Sequence, residues 1–136
     1  MDYALLGAAL IVSAFTAFSF VKAGIHKLRT SDEKLIEGGW GWVKSSPKGT
    51  VKFIGVAEVL GGLGVILSPL AVTLFNMDWA YGLGVAAGVG LVTIMVLANI
   101  VHIARKEFKY TWKTGVMVLA ITVIATVLLV LYPTNI

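Results

Sequence analysis

The 136 residues are enough for one small domain, and 58% of them are hydrophobic against 13% charged. A water-soluble domain of this size needs more polar surface, so the balance places the chain in the membrane class. The net charge of +4 flanks apolar runs and forms no patch interleaved with stacking aromatics, which argues against nucleic acid. With no cysteine, the chain has no disulfides, thiolate nucleophiles, Cys-ligated zinc or iron–sulfur clusters.

The first uncharged run is Tyr3–Val21. Its only preceding charge is Asp2, and no Lys or Arg occurs before Lys22. A signal peptide needs a basic stretch ahead of its apolar core, so this run is expected to be a retained helix. The connector that follows contains LRTSDEKLIEGGWGWVKSSPKG. Thr30 or Ser31 can cap a short helix with Asp32 and Glu33 in its first turn, and Gly38 and Gly39 can end it. Leu35, Ile36, Trp40, Trp42 and Val43 give that segment an apolar side, which predicts an interfacial helix and turn, or a lid over the bundle.

The second run, Phe53–Phe75, is interrupted only by Glu58 and carries Pro69 near its far end. The third is Trp79–Val101 and the fourth Gly115–Tyr132. About 20 residues at 1.5 Å each cross a core of about 30 Å, so four spans are expected, at about 3–27, 51–75, 79–103 and 113–132. The expected fold is all-α: one integral membrane four-helix bundle over 1–136.

All eleven Lys and Arg fall in two places. Lys22, Lys27, Arg29, Lys34, Lys44, Lys48 and Lys52 lie between spans one and two; Arg105, Lys106, Lys109 and Lys113 lie between spans three and four. In a four-pass chain those connectors share one side, and the positive-inside rule makes it cytoplasmic. Both termini are then outside, in the cytoplasmic (inner) membrane. The aromatics fit this arrangement. Tyr3, Trp79, Tyr81 and Tyr132 fall at outer ends, and Trp40, Trp42, Tyr110 and Trp112 on the inner side.

Helices in lipid associate through small residues that allow close approach. Span two carries Gly55, Ala57, Gly61, Gly62 and Gly64; span three carries Gly82, Gly84, Gly88 and Gly90. Spans two and three should therefore be the tightest pair, within one chain or between copies in a homo-oligomer. Span four, rich in Val, Ile, Leu and Thr, should face lipid over much of its surface.

Ionisable groups inside a membrane are costly and mark function by default. Glu58 lies roughly 9 Å into span two by helical rise and shares a face with Gly55, Gly61 and Gly62. It should point into the bundle. At similar depth, Lys22 and His26 share one face of span one, and Asn99 and His102 one face of span three. These five residues are expected to converge near the cytoplasmic mouth. Bis-His haem ligation is chemically conceivable, but His26 lies too near the water interface to favour it. No metal-ligand spacing, nucleotide loop or hydrolytic triad is present.

In order, FVKAGIHKLR, IGVAEVLGGLGVILSP and NIVHIARKEFK, followed by an apolar fourth span, resemble the DoxX-like family of small four-helix membrane proteins. The telling pieces are Gly24-x-x-Lys27-Leu28, Glu58 before Gly61-Gly62, and His102 before Arg105-x-Glu107, over roughly 20–132. The resemblance implies that Lys27, Glu58 and His102 occupy recurrent polar positions, which adds Lys27 to the cluster. It further implies an accessory role beside a partner complex, such as a quinone-linked redox system. The competing reading is a binder or carrier of a quinone, lipid or metabolite at the polar cluster. A third, catalytic reading has Lys or His with Glu moving protons in a quinone reaction.

Overall fold

The structure, a computed structural model, describes residues 3–106 and 108–131, without the side-chain surroundings of Tyr3, Leu5, Leu6, Phe108, Tyr110 and Thr111. The expectations for Tyr132 and Glu107, and for the rings of Tyr3 and Tyr110, therefore lie outside the described residues. The elements are α1 (Tyr3–Arg29), α2 (Asp32–Glu37), α3 (Gly41–Lys44), α4 (Thr50–Phe75), α5 (Ala80–Ala104) and α6 (Phe108–Leu131). The four long helices are long and apolar enough to cross a membrane. α1 packs on α4 and α6, and α5 completes the ring between them.

Each long helix turns one narrow seam inward. On α4 the buried positions are Val51, Gly55, Glu58, Gly62, Val65, Ser68 and Pro69. On α1 they include Ala9, Ser13, Thr16, Phe20 and Gly24; on α6, Thr122, Ala125 and Leu129. Steps of three and four residues keep such positions on one face of a helix. The core at the ring's centre is Phe20, Val65, Leu91, Ala125 and Leu129. The outer faces stay equally apolar, with Ile11, Leu60, Leu74 and Ile100 exposed. Lipid accepts those side chains, so amphipathic periodicity is weak and polarity does not tell inside from outside.

Small residues decide instead how closely the helices meet. A β-carbon on Gly24 would lie 2.6 Å from the Gly55 carbonyl oxygen, and one on Gly55 would lie 3.0 Å from the Gly24 carbonyl. The backbones of α1 and α4 thus touch at this crossing. Between α4 and α5 the same test finds side chains: Leu91 against Gly61 and Ala87 against Gly64. Spans two and three do pack, but the backbone-to-backbone contact belongs to spans one and two, through a glycine outside the Gly-rich runs.

Hydroxyls serve the spans locally. Thr122 Oγ1 donates to Val118 O at 2.6 Å and Thr126 Oγ1 to Thr122 O at 2.9 Å, the back-bonding that lets these residues sit inside a helix. Ser68 Oγ donates to Ala80 O at 2.7 Å and ties the end of α4 to the start of α5. Asn76 closes α4 in the left-handed region at φ 54°, donating its N–H to Ala71 O. At the same end, Tyr81 Oη donates to Val130 O at 3.2 Å and Trp79 is exposed. α6 starts at Phe108, five residues before the expected 113. Hydropathy marks where a helix enters lipid, and a helix need not end there.

Candidate functional site: a buried lysine–glutamate pair under an aromatic cap

The basic end of the bundle is where α1 and α5 finish and α4 and α6 begin. Side chains tilt toward the N-terminus of their own helix. Lys27, near the end of α1, therefore leans down into the bundle, and Glu58 on α4 leans up toward the basic end. They meet: Lys27 Nζ lies 2.6 Å from Glu58 Oε1. Glu58 is 4% exposed, and the lysine side chain is half-buried. The Gly24–Gly55 crossing is what brings them into reach, since Lys27 follows Gly24 by three residues and Glu58 follows Gly55 by three.

The other side of the Lys27 ammonium is covered by Trp40, whose ring centroid is 5.5 Å away. A cation over an indole face gains about 0.5–2 kcal/mol, more where water is excluded. Trp40 in turn stacks on Trp42 at 6.1 Å and meets the edge of His26 at 5.4 Å. The connector is thus a folded cap. Ser31 is the N-cap of α2, its hydroxyl accepting from Lys34 N at 3.3 Å, and Gly38 closes that helix. A second turn of helix, α3, follows where only a turn was expected. Leu35, Val43 and Val51 bury one another, with Ile36, Trp40 and Trp42 packed around them. This satellite core docks the cap on the first turn of α4.

Two cations anchor the cap. Lys52 Nζ donates to the carbonyls of Lys27 and Thr30, both at 2.6 Å, and reaches that of Leu28 at 3.4 Å. It satisfies the open end of α1, where carbonyls lack helical partners and the dipole favours positive charge. Arg105 Nη1 donates to Ser45 Oγ at 3.0 Å, and its guanidinium lies against Gly41. α5 therefore holds α3 in place.

Of the remaining expected residues, Lys22 and Asn99 turn elsewhere and His26 touches the cap. Lys22 is exposed, with its ammonium 5.8 Å from the Phe18 ring on the outer face of α1. His26 is exposed except for its edge contact with Trp40. Asn99 is buried but turns to α6, its Nδ2 3.4 Å from Gly115 O and its Oδ1 without a hydrogen-bond donor. His102 is half-buried in the last turn of α5. The i, i+4 spacing of Lys22 and His26 identified a real helix face, but that face looks outward. Trp40, Lys52 and Arg105 join the site without having been singled out for it. Trp40 resembled any interfacial aromatic, and the other two any topology-setting cation. The signal for Lys52 was its place in the first turn of α4, beside the end of α1.

A polar pair sealed inside a ring of four apolar helices, closed at one end by a folded connector, defines a small multi-pass membrane protein. Over residues 11–132 the chain matches the DoxX-like family, and it belongs to that family. No curated protein and no solved structure matches it.

Proposed function

We propose that this chain is an accessory protein of the cytoplasmic membrane that binds and stabilises a partner complex, with a quinone-linked redox system as the candidate partner. The observation that carries this reading is the closure of the site on itself: Glu58 is met by Lys27, and Lys27 is covered by Trp40. The buried polar groups hold one cap in one shape, and the cap turns Lys34, Lys44 and Lys48 outward beside Arg29 at the end of α1. A shaped basic surface at the membrane boundary suits an acidic partner face. The clustering of all cations at this end supports a cytoplasmic placement of that surface.

The test is affinity purification from native membranes in mild detergent. A stoichiometric partner should be recovered, and reversing Lys44 and Lys48 to Glu should release it while leaving the melting temperature unchanged. Recovery of the lone protein under every mild condition contradicts the proposal.

One observation favours a second reading. A cation beside an indole face offers a quinone ring stacking and a hydrogen-bond donor for its carbonyl, or an anionic metabolite a counter-charge, provided Trp40 swings aside. A ligand that binds the folded state raises its stability, so a thermal-shift screen of quinones should find a hit that is lost in Glu58→Gln.

A further inference from the structure

Lys22 presents a problem that the rest of the fold does not solve. It lies seven residues before the end of α1, roughly 10 Å below the basic end by helical rise. Its ammonium does not curl up toward the headgroups but lies over Phe18, one turn deeper. Phe18 is 67% exposed and Ile25 41%, so this face looks into lipid. Phe18, Val21, Lys22 and Ile25 line an open groove of about 330 Å³, almost entirely apolar. Val21 forms its floor side, packed toward Gly62 of α4.

Lys22 closes the uncharged run Tyr3–Val21, at the boundary where a lysine gains about 1 kcal/mol from a nearby anionic lipid. Among the described residues no carboxylate pairs with Lys22. Asp78 lies at the opposite end, and Asp32, Glu33 and Glu37 lie in the first connector, while Asp2 and Glu107 are outside the described residues. Glu58 is the sole carboxylate within a span, and it is buried against Lys27. The anion that a bilayer itself provides at this level is a lipid phosphate, and the groove beside the ammonium has the apolar lining an acyl chain needs.

We propose that Lys22, Phe18, Val21 and Ile25 form a binding site for one anionic phospholipid of the leaflet at the basic end, with phosphate on the Lys22 ammonium and an acyl chain along the groove. Arg29 lies seven residues beyond Lys22 on the same side of α1 and is exposed, so it extends the cationic strip toward the headgroups. This site is separate from the capped Lys27–Glu58 pair and stands or falls without it.

The experiment is native mass spectrometry of the full chain released from vesicles containing phosphatidylglycerol and phosphatidylcholine. Retained lipid should be enriched in phosphatidylglycerol, with one molecule per chain. Lys22→Gln should lower that retention about five-fold, the scale of one lysine near anionic lipid. Lys22→Arg should preserve it, and Phe18→Ala, which opens the groove wall without changing charge, should lower it about two-fold, in line with the loss of part of an apolar contact. Melting temperatures of the variants should stay at the wild-type value, which excludes misfolding. Equal retention of the two lipids overturns the proposal. So does an equal loss in Lys44→Gln, which would make the effect one of overall charge, and so does capture by a carboxylate of a co-purified protein cross-linked at position 22.

Discussion

Lys22 and Lys27 stand five residues apart on one helix, about 7.5 Å apart along its axis and about 140° apart around it. One faces lipid over the ring of Phe18; the other is drawn inward, held by Glu58 below and Trp40 above. Hydropathy and charge treat them alike. The rotation of α1 distinguishes them, and that rotation is fixed where Gly24 lets α1 touch the α4 backbone at Gly55. In a membrane bundle a lysine's role therefore follows from the small residue on its own face, since polarity is the same problem on every face.

The comparison breaks most visibly at Lys27. Lys27→Met leaves Glu58 as an unmatched buried carboxylate and should destabilise the fold by about 3–5 kcal/mol, read as a fall in melting temperature or in denaturant midpoint. Lys22→Met, on the outer face of the same helix, should change stability by less than about 0.5 kcal/mol, as surface substitutions do. Equal losses would show that the lysine charge itself, and not the face it stands on, decides.

Gly24→Ala comes next. Its methyl must displace a backbone oxygen and cannot push aside a flexible side-chain tip, so a cost of about 1–3 kcal/mol is expected from overpacking. Gly82, which has open space around its α-carbon, is the control. Gly82→Ala should be neutral or stabilising by up to about 1 kcal/mol through helix propensity.

Lys52→Met removes the charged donor from the end of α1 and should cost about 1.5–3 kcal/mol where the freed carbonyls are shielded, and less where water reaches them. Ser45→Ala removes the hydroxyl that accepts from Arg105 and should cost about 0.5–1.5 kcal/mol at most. It should show first as faster hydrogen exchange in residues 40–45, with the long helices unchanged.

Much of the architecture was legible beforehand because bilayer thickness imposes its own length on apolar runs. Four spans, a capped helix at Ser31 and an inward Glu58 all follow from spacing and cost. The partner of Glu58 was not legible from spacing alone. Lys22 and His26 satisfied the i, i+4 rule as well as any pair could, and only the resemblance brought Lys27 forward. What selects Lys27 is a stripe of Phe20, Gly24 and Lys27, in which the glycine marks the contact face. That stripe carries meaning only once α1 is known to cross α4, a tertiary fact. The cap was half legible: its apolar residues were visible, but their burial against Val51 depends on where α4 begins.

The central claim is that Lys27 and Glu58 act on each other inside the bundle. A double-mutant cycle measures this directly, using Lys27→Met, Glu58→Met and the double variant in one detergent. If the pair is real, the double variant will be far closer to wild type than the sum of the singles, with a coupling of at least about 2 kcal/mol. Strictly additive losses would mean that the two side chains never meet, and the capped pair would have to be abandoned.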